Sequence, residues 1–122
     1  MAAAHIELGK LGEELAAAYL LEKGYKIVAK NYRSGKAEID IIALLDNMLI
    51  FIEVKTRRTS AFGFPEEAVT AKKKQLLFDA AANYIHENNW QGELRFDIIS
   101  LILDKKNTIS NLTHFEDAFF FL

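Results

Sequence analysis

The sequence predicts an α/β fold, a mixed central sheet flanked by helices in the order α-β-β-β-α-β-β, and three observations carry it. Two stretches read as helices, 5–23, whose apolar residues are spaced at three and four, and about 66–87. Five shorter runs are dense in Ile, Leu, Val and Phe, the residue types that suit a half-buried pleated surface. The breaks between these segments carry Gly, Asn or Asp, the residues that turns and helix ends favour.

Each element follows in turn. The first helix is Ala-rich and stops at Gly24, as a helix does before a residue free to adopt positive φ. Tyr25 to Tyr32 reads as a strand with a basic outer face. Glu38 to Leu45 and Met48 to Thr56 read as two more, joined by the tight turn pair Asp46-Asn47. Ser60 to Pro65 is an irregular loop with Gly63 and the sole proline. The second helix runs from about Glu66 to Glu87 and ends at Asn88-Asn89. Arg95 to Leu103 and Thr108 to Phe115 close the sheet around a turn at 104–107. No linker or repeat divides the 122 residues, so one domain over 1–122 is expected, burying about two-thirds of its unfolded surface.

Composition narrows the function classes. With 51% hydrophobic and 26% charged residues the composition supports a packed core and argues against disorder. There is no cysteine, which removes disulfides and thiolate metal sites. The N-terminus has neither a signal-peptide core nor a membrane-spanning run, so a cytoplasmic location without membrane contact is expected. The net charge of −2 argues against a nucleic-acid partner, yet eleven of the fifteen basic residues fall in three clusters. These are Lys23 to Lys36, Lys55 to Arg58, and Lys72 to Lys74; gathered by the fold, they would make a basic patch on an acidic molecule.

The chemistry concentrates in the hairpin. A two-residue turn at Asp46-Asn47 sets Leu45 opposite Met48, Asp40 opposite Glu53, and Glu38 opposite Lys55. Period-two alternation then places Glu38, Asp40, Glu53 and Lys55 on one face. Directly opposed side chains have Cβ atoms roughly 4.5–5.5 Å apart, where like charges repel. Either one carboxylate holds a proton or a divalent cation lies between them. An oxygen-only donor set favours Mg²⁺ over zinc, and Lys55 beside it could neutralise charge on a phosphate or orient water. Acidic residues on strands ordinarily form the wet side of a sheet. Here the neighbours Ile39, Ile41, Ile52 and Val54, and the apolar stretches beyond, make a cleft wall the better reading.

The first helix holds a second anomaly. Glu7, Lys10 and Glu14 share a polar face, whereas Glu13 lies on the apolar stripe of Ile6, Ala17 and Leu20. A glutamate there needs a partner, a proton or a cation, so Glu13 is read as pointing to the hairpin.

Asp40, twelve residues, then Glu53-Val54-Lys55 resembles the PD-(D/E)xK nuclease motif, with Ile39 in the place of its proline. The flanking segments are more specific. Gly9 to Glu13 with Ala16, Asn31-Tyr32-Arg33, Glu38 to Ile42, Phe51 to Arg57, Ala68-Val69-Thr70 with Lys73, and Arg95-Phe96-Asp97 look like the YraN-like family of bacterial proteins. The likeness covers the chain from about Glu7 to Phe115. It implies a restriction-endonuclease-like fold akin to archaeal Holliday-junction resolvases. It also implies that Glu13 joins Asp40 and Glu53 around Mg²⁺ or Mn²⁺, that the Val54 carbonyl is a further ligand, and that Lys55 is the catalytic lysine. Lys73 or Gln75 would lie near the phosphate. Ala37 stands where that resemblance expects glycine, which touches local backbone geometry more than chemistry.

The leading function is a metal-dependent endonuclease or resolvase-like enzyme, with Arg33, Arg57, Arg58 and Lys73 on phosphates. Without a base-reading helix, it would select nucleic acid by structure, such as branched DNA, rather than by sequence. A non-catalytic nucleic-acid- or partner-binding module on the same fold is the alternative. A plainer one has the carboxylates in salt bridges such as Glu38 to Lys55. The three histidines are read as surface or packing residues, and Asp97 as structural. Trp90, Phe96 and Phe119 to Phe121 are read as core or interface, a homodimer being one arrangement that would cover the terminal run.

Overall fold

The computed structural model describes residues 2–58 and 71–118, with side chains from Glu7 onward. Its elements are α1 (Ala2–Glu22), β1 (Lys26–Ser34), β2 (Ala37–Leu45), β3 (Met48–Arg57), α2 (Ala71–Glu87), β4 (Glu93–Leu103) and β5 (Ile109–Phe115). The order is the one expected. The Ser60–Pro65 loop, the expected first turn of the second helix and the terminal phenylalanines lie outside the described residues.

The helix ends form as their residues dictate. Gly24 takes φ +93°, and Tyr25 N–H donates back to the Leu20 carbonyl at 2.9 Å, closing α1 with a left-handed cap. Asn89, at φ +49°, does the same for α2, with Trp90 N–H donating to Ile85. Asp46 takes φ +53° in the hairpin turn, the conformation that Asp tolerates better than most residues.

The five strands lie in sequence order in one mixed sheet. Neighbours are antiparallel except β3 and β4, which are parallel and are joined through α2. On one face α1 packs Ala16 and Leu20 against Ile41, Ala43, Ile50, Ile52, Ile99 and Leu101. On the other, α2 packs Leu77, Ala80 and Ala81 against Ile39, Ile42, Leu49, Phe51 and Ile98. Covering both faces of β2, β3 and β4 is why these strands read as nearly continuous apolar runs. Each fully buried Ile or Leu contributes about 1.5–3 kcal/mol of burial free energy. Trp90 and Phe96 belong to the α2-side core.

Two local features position the site. Gly12 lets α1 lie directly on β3, since a Cβ there would sit 1.8 Å from Thr56 Oγ1. The second is a break in side-chain alternation. Ala29 and Tyr32 both pack on the α2 side, three residues apart, as do Ile39 and Ile42, while Ile41 packs on the α1 side. A regular strand would send residues three apart to opposite faces. The break falls at Asn31, whose φ is +51°, and at Asp40, which the β1–β2 register sets opposite it.

Candidate metal and phosphate site

The hairpin register is the expected one from Leu45↔Met48 to Ile41↔Ile52. Past Ile52 the two strands no longer pair backbone to backbone, and Asp40 takes over. Its Oδ2 accepts the Val54 N–H at 2.7 Å, so a side chain satisfies a backbone donor that the ladder leaves. Asp40 and Glu53 are 9% and 8% exposed. Both line an open cleft of about 230 Å³ with Lys36, Ala37, Glu38, Lys73, Leu76 and Leu77. Ala37 is itself buried there against the α2-side core.

The outer carboxylates gather around Asp40. One oxygen each from Glu13, Glu38 and Asp40 lies within 4.8 Å of the other two. Asn31 Nδ2 donates to Glu13 Oε1 at 2.8 Å, and Arg33 Nε to Glu38 Oε2 at 2.9 Å. Glu38 therefore pairs with its cross-strand neighbour Arg33 rather than with Lys55. The broken alternation also corrects the picture of four charged residues standing on one regular strand face. Glu13, Glu38 and Asp40 come together beside the kink, while Glu53 shares the cleft with Glu38 and Asp40.

Glu53 has different company. Its Oε1 lies 3.2 Å from Lys73 Nζ and 3.6 Å from Lys55 Nζ. Its Oε2 is buried and accepts no hydrogen bond. A buried carboxylate oxygen without a donor is costly, by about 1–3 kcal/mol or more. Burial, then the Glu53 charge, and then those of Glu13 and Glu38, push the Asp40 carboxyl up to about 7 against the pull of the Val54 amide. Burial and the neighbouring Lys73 lower Lys55, partly offset by Glu53. Burial works against the charge on Lys73 too, but attraction to Glu53 prevails and holds it above its ordinary value. The site is thus a dense set of carboxylates with two lysines on one side.

The remaining basic residues are dispersed around it. Arg33 sits at the cleft's β1 edge and is highly exposed. Arg57 continues the alternation of Glu53 and Lys55 along β3. Arg58 donates to the Asp104 carbonyl at 3.0 Å, and Gln75 to Asp79 one turn along α2, so Gln75 turns along its own helix.

A second polar cluster gathers around Asp97, whose expected role is structural. Asp97 is fully buried and accepts two hydrogen bonds from Arg95, at 2.8 Å each, with His114 Nε2 at 2.7 Å and the Asp117 N–H at 2.9 Å. Arg95 also donates to Tyr25, and His114 Nδ1 meets Tyr19 Oη at 2.9 Å. Burial alone would raise the Asp97 carboxyl, but the His114 and Arg95 bonds prevail and lower it. Arg95 and Asp97 two apart in an apolar strand signalled a shared face. Nothing local signalled His114.

The element order and the five-stranded mixed sheet are those of the α/β fold that the restriction-endonuclease-like resemblance implies. The sequence profile of "Uncharacterised protein family UPF0102" matches residues 12–101. A UPF0102 protein of Christiangramia forsetii is 50% identical over 119 residues, 98% of each chain. One from Cytophaga hutchinsonii is 50% identical over 97 residues, 80% of this chain and 86% of its own. One from Thermodesulfovibrio yellowstonii is 49% identical over 117 residues, 96% of this chain and 99% of its own. The chain belongs to the UPF0102 family. Among the described residues no helix is long and apolar enough to cross a membrane.

Proposed function

We propose that this protein is a divalent-cation-dependent phosphodiesterase acting on nucleic acid of irregular structure. The observation that carries this reading is the concentration of buried carboxylate at Asp40 and Glu53, one with its carboxyl pushed up to about 7 and the other with an unpartnered buried oxygen. Both are features a cation would relieve. The donor set fits Mg²⁺ or Mn²⁺, being oxygen throughout with no thiol or imidazole among the cleft residues. Asp40 and Glu53 would hold the ion, with Glu13 and Glu38 at its outer side. A strand residue sends its N–H and C=O to the same neighbour, so the Val54 carbonyl faces Asp40 as its amide does, which supports it as a further ligand.

When bound, the cation would supply electrophilic stabilisation of a phosphoryl oxygen and a more acidic water. The protein's own groups divide the remaining tasks. Lys55, lowered by burial and held 3.6 Å from Glu53, faces the charge that develops on a scissile phosphate or orients the attacking water. Lys73, reaching the same Glu53 oxygen from α2, positions the phosphate, and Lys36 and Arg33 extend that contact along the cleft edge. Such contacts track backbone and not base sequence.

Incubation with branched, flapped, single-stranded and linear DNA, in Mg²⁺, Mn²⁺ or EDTA, tests the proposal. Metal-dependent cutting is expected, lost in Asp40→Asn and Lys55→Ala. In parallel, Mg²⁺ at about 100 times its Kd raises stability by about 2.7 kcal/mol in the wild type and not in Asp40→Asn. Salt-sensitive binding without cutting under every metal would favour a binding module.

A further inference from the structure

We propose that Asn31 is the positioning residue of this site: its backbone makes the strand kink, and its amide holds the Glu13 carboxylate beside Asp40. The inference rests on the cation reading above and assigns the residue that gives the helix-borne ligand its orientation.

Position 31 stands in the middle of β1 with φ +51°, a left-handed conformation that belongs to turns and not to strands. Beyond a bulge between Ile27 and Ala29, the pairs Lys30↔Ile41 and Tyr32↔Ile39 continue on either side of it in one register, so Asn31 and Asp40 stand unpaired at one level and the ladder then resumes. Both strands change face at that level. The interruption does two things together. It frees Asp40 to bond the Val54 amide, and it lets the Asn31 side chain reach α1, where Nδ2 donates to Glu13 Oε1 at 2.8 Å.

The residue type meets both requirements. Asparagine is among the few non-glycine residues that tolerate positive φ, and its amide is a neutral donor to a carboxylate. Aspartate would tolerate the backbone but would set a fourth negative charge against Glu13. Glycine would suit the backbone but would supply no donor. Glu13 is half-buried beside Glu38 and Asp40, on a long side chain with several torsions to be held. One amide on Oε1 restricts the carboxylate and leaves lone pairs for a cation. The neighbouring Gly12 sets α1 close enough to the sheet for the bond to form. Two residues further along β1, Arg33 does the corresponding service for Glu38. A donor from β1 therefore holds each of the two outer carboxylates, and the β3 backbone holds the inner one.

The test is a double-mutant cycle read by calorimetric Mn²⁺ binding on the full chain. Asn31→Gly keeps the positive φ and removes the amide, so it separates the two roles; Asn31→Ala loses both. Asn31→Gly is expected to melt close to the wild type while binding Mn²⁺ about 10–100 times more weakly. The same change in a Glu13→Gln background is expected to weaken Mn²⁺ binding less than threefold, because the carboxylate it positions is gone. Unfolding of the four metal-free proteins reads the contact without any cation and is expected to show Asn31 and Glu13 coupled. Wild-type Mn²⁺ affinity in Asn31→Gly, or equal losses with and without Glu13, overturns the inference and leaves the cation reading standing. A wild type that binds no Mn²⁺ overturns both.

Discussion

Replacing Asp40 with asparagine removes one buried negative charge while keeping the shape and an acceptor for the Val54 amide. The magnitude follows from the carboxyl's rise from 3.8 to about 7, caused by burial first and the Glu53 charge second. A rise of that size corresponds to about 4 kcal/mol of stability withheld once the group is ionised. Because the folded value lies above the unfolded one, the protonated group contributes fully below about pH 4, and the contribution is lost as pH rises through about 7. The asparagine NH₂ needs its own partner in a crowded place, which costs about 1–2 kcal/mol. A net gain of about 2–3 kcal/mol is therefore expected at pH 8, roughly 8–12 °C in Tm for a chain of this size. The measurement is urea and thermal unfolding of wild type and Asp40→Asn in EDTA at pH 4, 6 and 8. The advantage of the variant grows across that range and is absent at pH 4. A variant less stable than wild type at pH 8, or a gain equal at pH 4 and 8, refutes the electrostatic account.

Two further expectations concern the scaffold. Gly12→Ala drives a methyl to within 1.8 Å of Thr56 Oγ1. The overpacking, about 1–3 kcal/mol, outweighs the helix-propensity gain of at most about 1 kcal/mol. Denaturant titration should show net destabilisation partly recovered in Gly12→Ala/Thr56→Ala, and a Gly12→Ala as stable as wild type contradicts the close approach. Asp97→Asn leaves Arg95 and His114 without their shared carboxylate, an expected loss of about 3–5 kcal/mol at pH 7. Since the Asp97 carboxyl is held low, its contribution is present above the unfolded value and lost as pH falls through the folded one. The gap between Asp97→Asn and wild type should accordingly narrow toward pH 3, and a loss under 1 kcal/mol at pH 7 would show the network to be dispensable.

Much of the fold was legible because its signals are local. Gly24 and Asn89 end their helices through conformations these residues adopt readily. The Asp46-Asn47 turn joins strands whose partners follow by counting, and the count holds to Ile41↔Ile52. Beyond that pair the counting loses its hold. Asn31 looks like any polar residue on a strand's outer face, and nothing in its neighbours shows that it will take positive φ and shift the strand by one face. That shift puts Glu38 among the carboxylates around Asp40 and pairs it with Arg33 instead of Lys55. Glu13 was legible as an anomaly on an apolar stripe, and its partner was not.

By itself the sequence determined the order of the elements and the hairpin register from the turn to Ile41↔Ile52, since periodicity and turn preference act over a few neighbouring residues. The tertiary structure alone decided that Lys73 reaches Glu53 from another element, that Asn31 holds Glu13, and that Asp97 gathers Arg95 and His114. Those pairings depend on how closely a kinked sheet and two helices approach through space, and that distance sets the burial and charge each group experiences.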